Sequence, residues 1–158
     1  MSTIPTPAQR GAATRKRNQT QKRMQERLTR AEVQIKALSD TICSDEPWDG
    51  LADLAQAAIR AVDDVLRLVR ATAEVDGAIP ISADECDAIL DARVALHRIA
   101  THPGAYDLDT LTDAETDELN GAHDAERTLA AINDVYASAV GWQDVPEATR
   151  DLIAQNID

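Results

Sequence analysis

Residues 24–42, MQERLTRAEVQIKALSDTI, decide the fold of this chain, because their apolar side chains recur at helical spacing. The steps between them alternate between four and three residues, which puts one row of apolar side chains along one side of a helix. Such a row is typical of the a and d positions of a coiled coil. It consists of Met24, Leu28, Ala31, Ile35, Leu38 and Ile42. We therefore predict a helix–helix seam here, formed either between copies of the chain or with other helices of the same subunit.

The segment before this seam is basic, although the chain as a whole has a net charge of −12. Residues 1–40 hold nine Lys/Arg and three Asp/Glu, whereas residues 41–158 hold seven Lys/Arg and 25 Asp/Glu. This asymmetry indicates a positively charged N-terminal arm on an acidic body. The cations that we expect to dock on a partner are Arg10, Arg15, Lys16, Arg17, Lys22, Arg23, Arg27 and Arg30.

Three kinds of partner fit such an arm: the phosphates of a nucleic acid, an acidic protein surface, or the chain's own acidic body. No aromatic residue stands between the cations, so stacking on the bases of single strands is not expected. Contact with nucleic acid is expected to be non-specific and directed at phosphates, since these contacts carry no sequence information directly.

The rest of the chain also has helical periodicity, and no stretch alternates convincingly as a strand would. We predict helices from a start between residues 8 and 18 to about 42, and over about 49–75, 83–101, 113–140 and 146–157. Ser82 with Glu85, and Thr112 with Glu115, have the spacing of capping boxes. The predicted fold is thus an all-α bundle of about five helices. Residues 1–42 form the basic arm and heptad helix, and residues 43–158 form the acidic helical body.

These helices have apolar stripes that predict which residues face the core. On the helix over about 83–101 the expected inward residues are Cys86, Ile89, Leu90, Val94, His97 and Ala100. On the helix over about 113–140 they are Ala122, Ala125, Leu129, Ile132, Tyr136 and Ala139. Gly141 suits the C-terminal cap of the latter helix.

Few residues are arranged as a catalytic or metal site would require. Acids over residues 84–91 lie in the first turns of a predicted helix. Negative side chains are favourable there because they face the positive end of the helix dipole, so they need no metal to explain them. His123-Asp124, with His97 or His102 upstream, is the kind of pair that a metal-dependent hydrolase uses. The two cysteines, Cys43 and Cys86, have no metal or redox spacing. We predict no catalytic residue, no metal and no cofactor.

These features predict a non-enzymatic helical protein that oligomerises. No apolar run approaches the roughly 20 residues of a membrane span, and the N-terminus lacks the apolar core of a signal peptide. We therefore expect no membrane partner, and a location in the cytoplasm or within a virus particle. The expected role is a structural or accessory component of a larger assembly, for example a phage or virus particle, as a homo-oligomer or with other proteins. A small DNA-associated regulator and a helical metal-dependent hydrolase are the alternatives.

Overall fold

The computed structural model describes residues 4, 6–44, 50–75, 77–104 and 106–143, with side chains to residue 138. These residues form four α-helices: α1 (Pro7–Ile42), α2 (Leu51–Ala73), α3 (Ala83–Ala100) and α4 (Asp113–Gln143). A short 3₁₀ turn, Leu108–Thr110, precedes α4. No strand occurs within this part of the chain, so the predicted all-α class is confirmed there. The predicted fifth helix over 146–157 lies outside the described residues.

The four helices pack as an up-and-down bundle in which each helix has two neighbours. Helix α1 packs against α2 and α4, and α3 packs against the same two helices. On α1, Glu32 contacts Asn133 of α4, and Ser39, about two turns later, contacts His123. Because position on α4 falls as position on α1 rises, these two helices are antiparallel. Short loops between antiparallel neighbours are typical of four-helix bundles.

Capping residues explain where three helices begin. Thr6 caps α1, accepting a hydrogen bond from the backbone N–H of Gln9, whose side chain accepts one from the backbone N–H of Thr6. Pro7 then occupies the first turn, where a missing N–H costs nothing, so α1 starts just before the predicted range of 8–18. The predicted capping boxes at Ser82 and at Thr112 are both formed.

The apolar row of α1 lies in the bundle core. Five of its six residues have no exposed surface, and Ile42 is half-buried. Burying a large apolar side chain stabilises the fold by about 1.5–3 kcal/mol. Of the two predicted settings for the seam, the structure therefore has the one within the subunit. A heptad seam between copies of the chain is not confirmed.

Helix α3 fully buries one residue of the predicted set, Ile89, while Cys86 and Ala100 pack partly buried against the core. Its buried residues are Ile89, Ala92, Leu96 and Ile99. The predicted core residues Leu90 and Val94 are about half exposed, at 47% and 50%, and His97 is exposed. Apolar residues lie on more than one side of this helix, so its periodicity alone does not choose a face.

Helix α4 follows its predicted stripe but runs further than expected. Ala122, Ala125, Leu129, Ile132 and Tyr136 are all buried, as predicted. The helix continues through Gly141 to Gln143, so the prediction that Gly141 caps its C-terminus is wrong. A glycine inside a helix costs about 1 kcal/mol relative to alanine, which the surrounding helix can absorb.

Candidate docking surface on the first helix

Four of the eight predicted docking cations lie on the solvent side of α1, opposite the core. They form two pairs, at positions 15 and 22 and at positions 23 and 30. The members of each pair are seven residues apart, which is close to two helical turns, so they lie on the same side of the helix. All four are exposed. We call them the outer basic face: Arg15, Lys22, Arg23 and Arg30. The outer basic face rises about 22 Å along the helix axis, at 1.5 Å per residue.

The other four predicted cations have different surroundings. Arg10 and Lys16 are exposed near the start of α1, and Arg17 is half-buried. Arg27 forms an ion pair at 3.4 Å with Asp64 of α2, which also pairs with Arg67 at 2.8 Å. Arg27 therefore links α1 to α2. Among the eight cations, Arg27 is the one whose described ion pair fits the alternative in which the arm binds the chain's own acidic body.

The first part of α1 stands clear of the described core. The earliest buried residue of this helix is Gln21. The 14 helical residues before it span about 21 Å. Among the described residues, no acid forms an ion pair with Arg10, Lys16 or any member of the outer basic face. These six cations are thus presented to solvent by one continuous helix.

The loop between α2 and α3 fixes the base of this arm. The Oε1 of Gln21, itself buried, accepts a hydrogen bond from the backbone N–H of Ile79 at 3.1 Å. Gly77 has φ +78°, a left-handed conformation that favours glycine. A Cβ at Gly77 would lie 3.2 Å from the Cδ of Arg17, so the absent side chain also makes room for Arg17. The arm consequently projects in a fixed direction from Gln21.

The end of the bundle opposite the arm is acidic. Between residues 99 and 126 the chain has eight Asp/Glu and no Lys/Arg. This segment covers the end of α3, the loop after it and the start of α4. Since α1 and α4 are antiparallel, the first turns of α4 lie far from the first turns of α1. This acidic segment therefore lies far from the arm.

A histidine at this acidic end contacts two carboxylates that sequence reasoning did not connect with it. The Nε2 of His102 lies 3.2 Å from Oε2 of Glu115, and its Nδ1 lies 3.1 Å from Oε2 of Glu118. The ring of Tyr106 stacks on His102 with centroids 4.0 Å apart, and its hydroxyl donates to Glu118. Burial, and next the hydrogen bond to Glu118, raise the pKa of Tyr106. A cavity of about 250 Å³ adjoins His102 and Tyr106, with Leu51 and Ile99 among its walls.

A second cluster joins the end of α1 to α4. The Oγ of Ser39 and the Nδ1 of His123 are hydrogen-bonded, and the Sγ of Cys43 lies 3.8 Å from Nε2 of the same ring. Ser39 is buried, His123 is half-buried and Cys43 is exposed. From the sequence we considered His123 and Cys43 separately and did not single out Ser39, because about 80 positions separate His123 from the other two. The spacing of four between Ser39 and Cys43 on one helix was the available signal.

The residues considered for metal chemistry lie in separate parts of the described structure. Asp124 is exposed and lies 3.6 Å from Arg127, while the ring of its neighbour His123 faces Ser39 and Cys43. His102 contacts Glu115 and Glu118 instead of joining this pair. Glu85 serves the cap at Ser82. Within the described ranges, no three His, Cys, Asp or Glu side chains are grouped to hold a metal ion.

Comparison of the chain with protein-family models, with curated proteins and with solved structures finds no match. Among the described helices, none combines the length and the apolar composition that crossing a bilayer requires.

Proposed function

We propose that this chain is a non-enzymatic helical component of a larger assembly, structural or accessory, that docks through α1 on a polyanion or an acidic partner. The observation that carries the proposal is the exposed, basic first part of α1. Acids in the described part of the chain leave six cations of α1 unpaired, and three of them, Arg10, Arg15 and Lys16, precede the first buried residue of this continuous helix. A helix that only completed the bundle would not need this extension.

Charge favours the arm over the body as the docking element. Residues 41–158 hold 25 Asp/Glu against seven Lys/Arg, so the body repels a polyanion. The arm extends about 21 Å beyond Gln21, and the Debye length at physiological salt is about 8 Å. The repulsion from the body is therefore screened over most of the arm, while the cations of the arm act at contact distance.

The test compares two double variants that remove the same charge from different places. Arg15→Gln with Lys22→Gln removes two cations of the outer basic face. Arg60→Gln with Arg98→Gln removes two exposed cations of α2 and α3 and is the matched control. Binding is measured by fluorescence anisotropy with a labelled DNA duplex and with a labelled poly-glutamate peptide, each over a range of salt.

The proposal expects the first double variant to lose about tenfold or more in affinity and the control to change little. With DNA, each lost phosphate contact should also make the log–log salt dependence shallower by about 0.9. Equal losses in the two double variants, or unchanged binding in both, would contradict docking through the arm. Affinity that differs by more than about tenfold between duplexes of unrelated sequence would favour the DNA-associated regulator, since base contacts are then being read.

A truncation separates docking from folding and from assembly. Residues 1–16 can be removed without touching the buried Gln21 or the Arg17 contact with the Gly77 turn. We expect the truncated chain to keep its thermal midpoint and to bind the partner more weakly. Sedimentation of both chains with and without DNA then measures whether a larger particle forms. A truncated chain that binds and assembles like the full chain would overturn the proposal.

A further inference from the structure

Three side chains form a row from the last turns of α1 to the middle of α4. The buried hydroxyl of Ser39 holds one ring nitrogen of His123, and the thiol of Cys43 faces the other at 3.8 Å. A nucleophile beside a base, with the base oriented by a third group, is the arrangement that activates a side chain for attack. No part of the docking proposal uses these residues.

The hydrogen bond to Ser39 decides which nitrogen of His123 is available. In a neutral imidazole one nitrogen is a donor and the other is an acceptor. When the Nδ1–H donates to the Oγ of Ser39, the lone pair of Nε2 is left facing the Sγ of Cys43. The thiol can then donate its proton to Nε2, as a general base requires.

The position of the pair at a helix end does not oppose this transfer. Cys43 is the C-cap of α1, at the negative end of the helix dipole. That end disfavours an isolated thiolate, but it favours an imidazolium, and proton transfer from Cys43 to His123 makes one of each. Because the resulting ion pair is neutral overall, the two effects of the dipole largely cancel.

An open groove beside the thiol has room for a small reagent. Its volume is about 350 Å³, and its walls include Cys43, His123, Glu126, Arg127 and Ala130. The side chain of Arg127 is 80% exposed, and its only described ion pair is the one with Asp124 at 3.6 Å. The guanidinium of Arg127 and the carboxylate of Glu126 both line the groove, and the guanidinium is the group that suits a reagent carrying a carboxylate.

We propose that Cys43 is a site of reversible S-thiolation, reacting with a small carboxylate-bearing disulfide that binds in this groove. The thiol gives its proton to Nε2 of His123 as Sγ attacks one sulfur of the disulfide. The Cys43–S–S–R bond forms, the disulfide bond breaks and the second half leaves as a thiolate. Cys43 is oxidised and the small disulfide is reduced, so the electrons balance, and His123 returns its proton to solvent or to the leaving thiolate.

Cys86 is the contrasting thiol in the same chain. It is half-buried on α3, with acids on both sides in sequence. Burial raises the pKa of the Cys86 thiol, and the charges of Asp87 and Glu85 raise it further. The thiolate is the attacking form in disulfide exchange, so this thiol is expected to react slowly.

The test measures the rate of exchange for each thiol alone. Cys86→Ser leaves Cys43 as the single thiol, and Cys43→Ser leaves Cys86. Each full-length chain is mixed with excess dithiobis(nitrobenzoate) at pH 7, and the absorbance of the released aromatic thiolate is followed, in buffer and in urea. We expect Cys43 to react at least tenfold faster in the folded chain than in urea, and Cys86 to react more slowly folded than unfolded.

Two further variants, made in the Cys86→Ser chain, test the mechanism. His123→Gln should slow the folded reaction of Cys43 by at least tenfold, because general-base catalysis contributes about 10²–10⁴-fold. Arg127→Gln should slow the reaction with the anionic reagent by severalfold and leave that with neutral dithiodipyridine unchanged, whereas Arg98→Gln should alter neither. Circular dichroism checks that each variant is folded.

The proposal is overturned if Cys43 reacts no faster in the folded chain than in urea. This comparison leaves His123 in place, so it does not depend on whether a His123 variant folds. It is also overturned if a folded His123→Gln chain reacts at the rate of its parent. Equal effects of Arg127→Gln on the anionic and neutral reagents would remove the carboxylate-bearing disulfide as the reagent class.

Discussion

The Nδ1 of His102 lies 3.1 Å from the Oε2 of Glu118, and this same oxygen accepts a hydrogen bond from the hydroxyl of Tyr106 at 3.0 Å. One carboxylate of α4 thus binds two residues of the loop after α3. The side chains of His102 and Glu118 are only 14% and 27% exposed, so solvent screens their interaction less than that of a surface pair.

Replacing this carboxylate should loosen the acidic end of the bundle. Glu118→Gln keeps the shape of the side chain and removes its charge, and hydrogen bonds to charged groups are worth about 1 kcal/mol more than neutral ones. We expect the free energy of unfolding to fall by about 1 kcal/mol in a urea titration. Asp117→Asn, an exposed neighbour with the same change in charge, is the control and should change stability by less than about 0.5 kcal/mol. Equal effects would mean that Glu118 acts only through the net charge.

Tyr136 predicts the behaviour of the protein at alkaline pH. Its hydroxyl is buried without a hydrogen-bond partner among the described residues, and burial raises its pKa to about 12. The folded state holds this proton more tightly than the unfolded chain, whose tyrosine pKa is about 10. Its contribution to stability is therefore present below pH 10 and is lost as pH rises from 10 to about 12.

Tyr136→Phe isolates that contribution. The variant should be as stable as the parent or slightly more stable at pH 7, because it removes a buried group that lacks a partner. Its free energy of unfolding should also fall less steeply between pH 10 and 12, by a difference on the order of 2 kcal/mol. Urea titrations at pH 7 and at several alkaline pH values measure both. A loss of more than about 1 kcal/mol at pH 7 would contradict the prediction and indicate a hydrogen bond outside the described residues.

Ile35 and Val33 test whether the apolar row of α1 is the core of one subunit. Ile35 has no exposed surface, whereas Val33, on the same helix, is 57% exposed. Ile35→Asp puts a charge into the core and should cost at least about 3 kcal/mol, unfolding the chain or bringing it close to unfolding. Val33→Asp should change stability by about 0.5 kcal/mol or less. Circular dichroism and sedimentation measure both. A folded Ile35→Asp chain of lower mass would instead identify a seam between copies.

Gly121 sets how closely α3 and α4 approach. A Cβ at this position would lie 3.1 Å from the Cβ of Ala95, closer than most such contacts in proteins. Alanine raises helix propensity by about 1 kcal/mol, but overpacking costs about 1–3 kcal/mol, so Gly121→Ala should be destabilising by about 1 kcal/mol. Thermal unfolding tests this. Adding Ala95→Gly to the same chain makes room for the new methyl group and should recover part of the loss, measured against Ala95→Gly alone.

Helix positions were predictable because local signals mark them. Thr6, Ser82 and Thr112 each precede a residue that closes a capping box three positions later, and these signals need no tertiary contact. The core row of α1 was predictable for the same reason: Met24 and its partners are the single continuous apolar side of a helix whose other sides are polar. The basic arm followed from composition alone.

Contacts between distant residues were not predictable. His123 meets Ser39 and Cys43 across about 80 positions, and His102 meets Glu118 only because the loop after α3 folds back onto α4. Helix α3 shows the same limit within one element. Leu90 and Val94 are as apolar as Leu96. Which of them is buried depends on the side of α3 that α2 and α4 cover.

The sequence by itself determined that the described part of this chain is helical, where α3 and α4 begin, and that a basic N-terminal segment precedes an acidic remainder. Caps and helical periodicity depend on residues a few positions apart, and the charge of a segment depends only on its composition. Only the tertiary structure decided that the row of α1 is satisfied within its own subunit, because both outcomes bury the same surface and gain the same hydrophobic free energy. It also decided that Arg15, Lys22, Arg23 and Arg30 face solvent while Arg27 meets Asp64, since the pairing of a charge depends on which helix lies beside it.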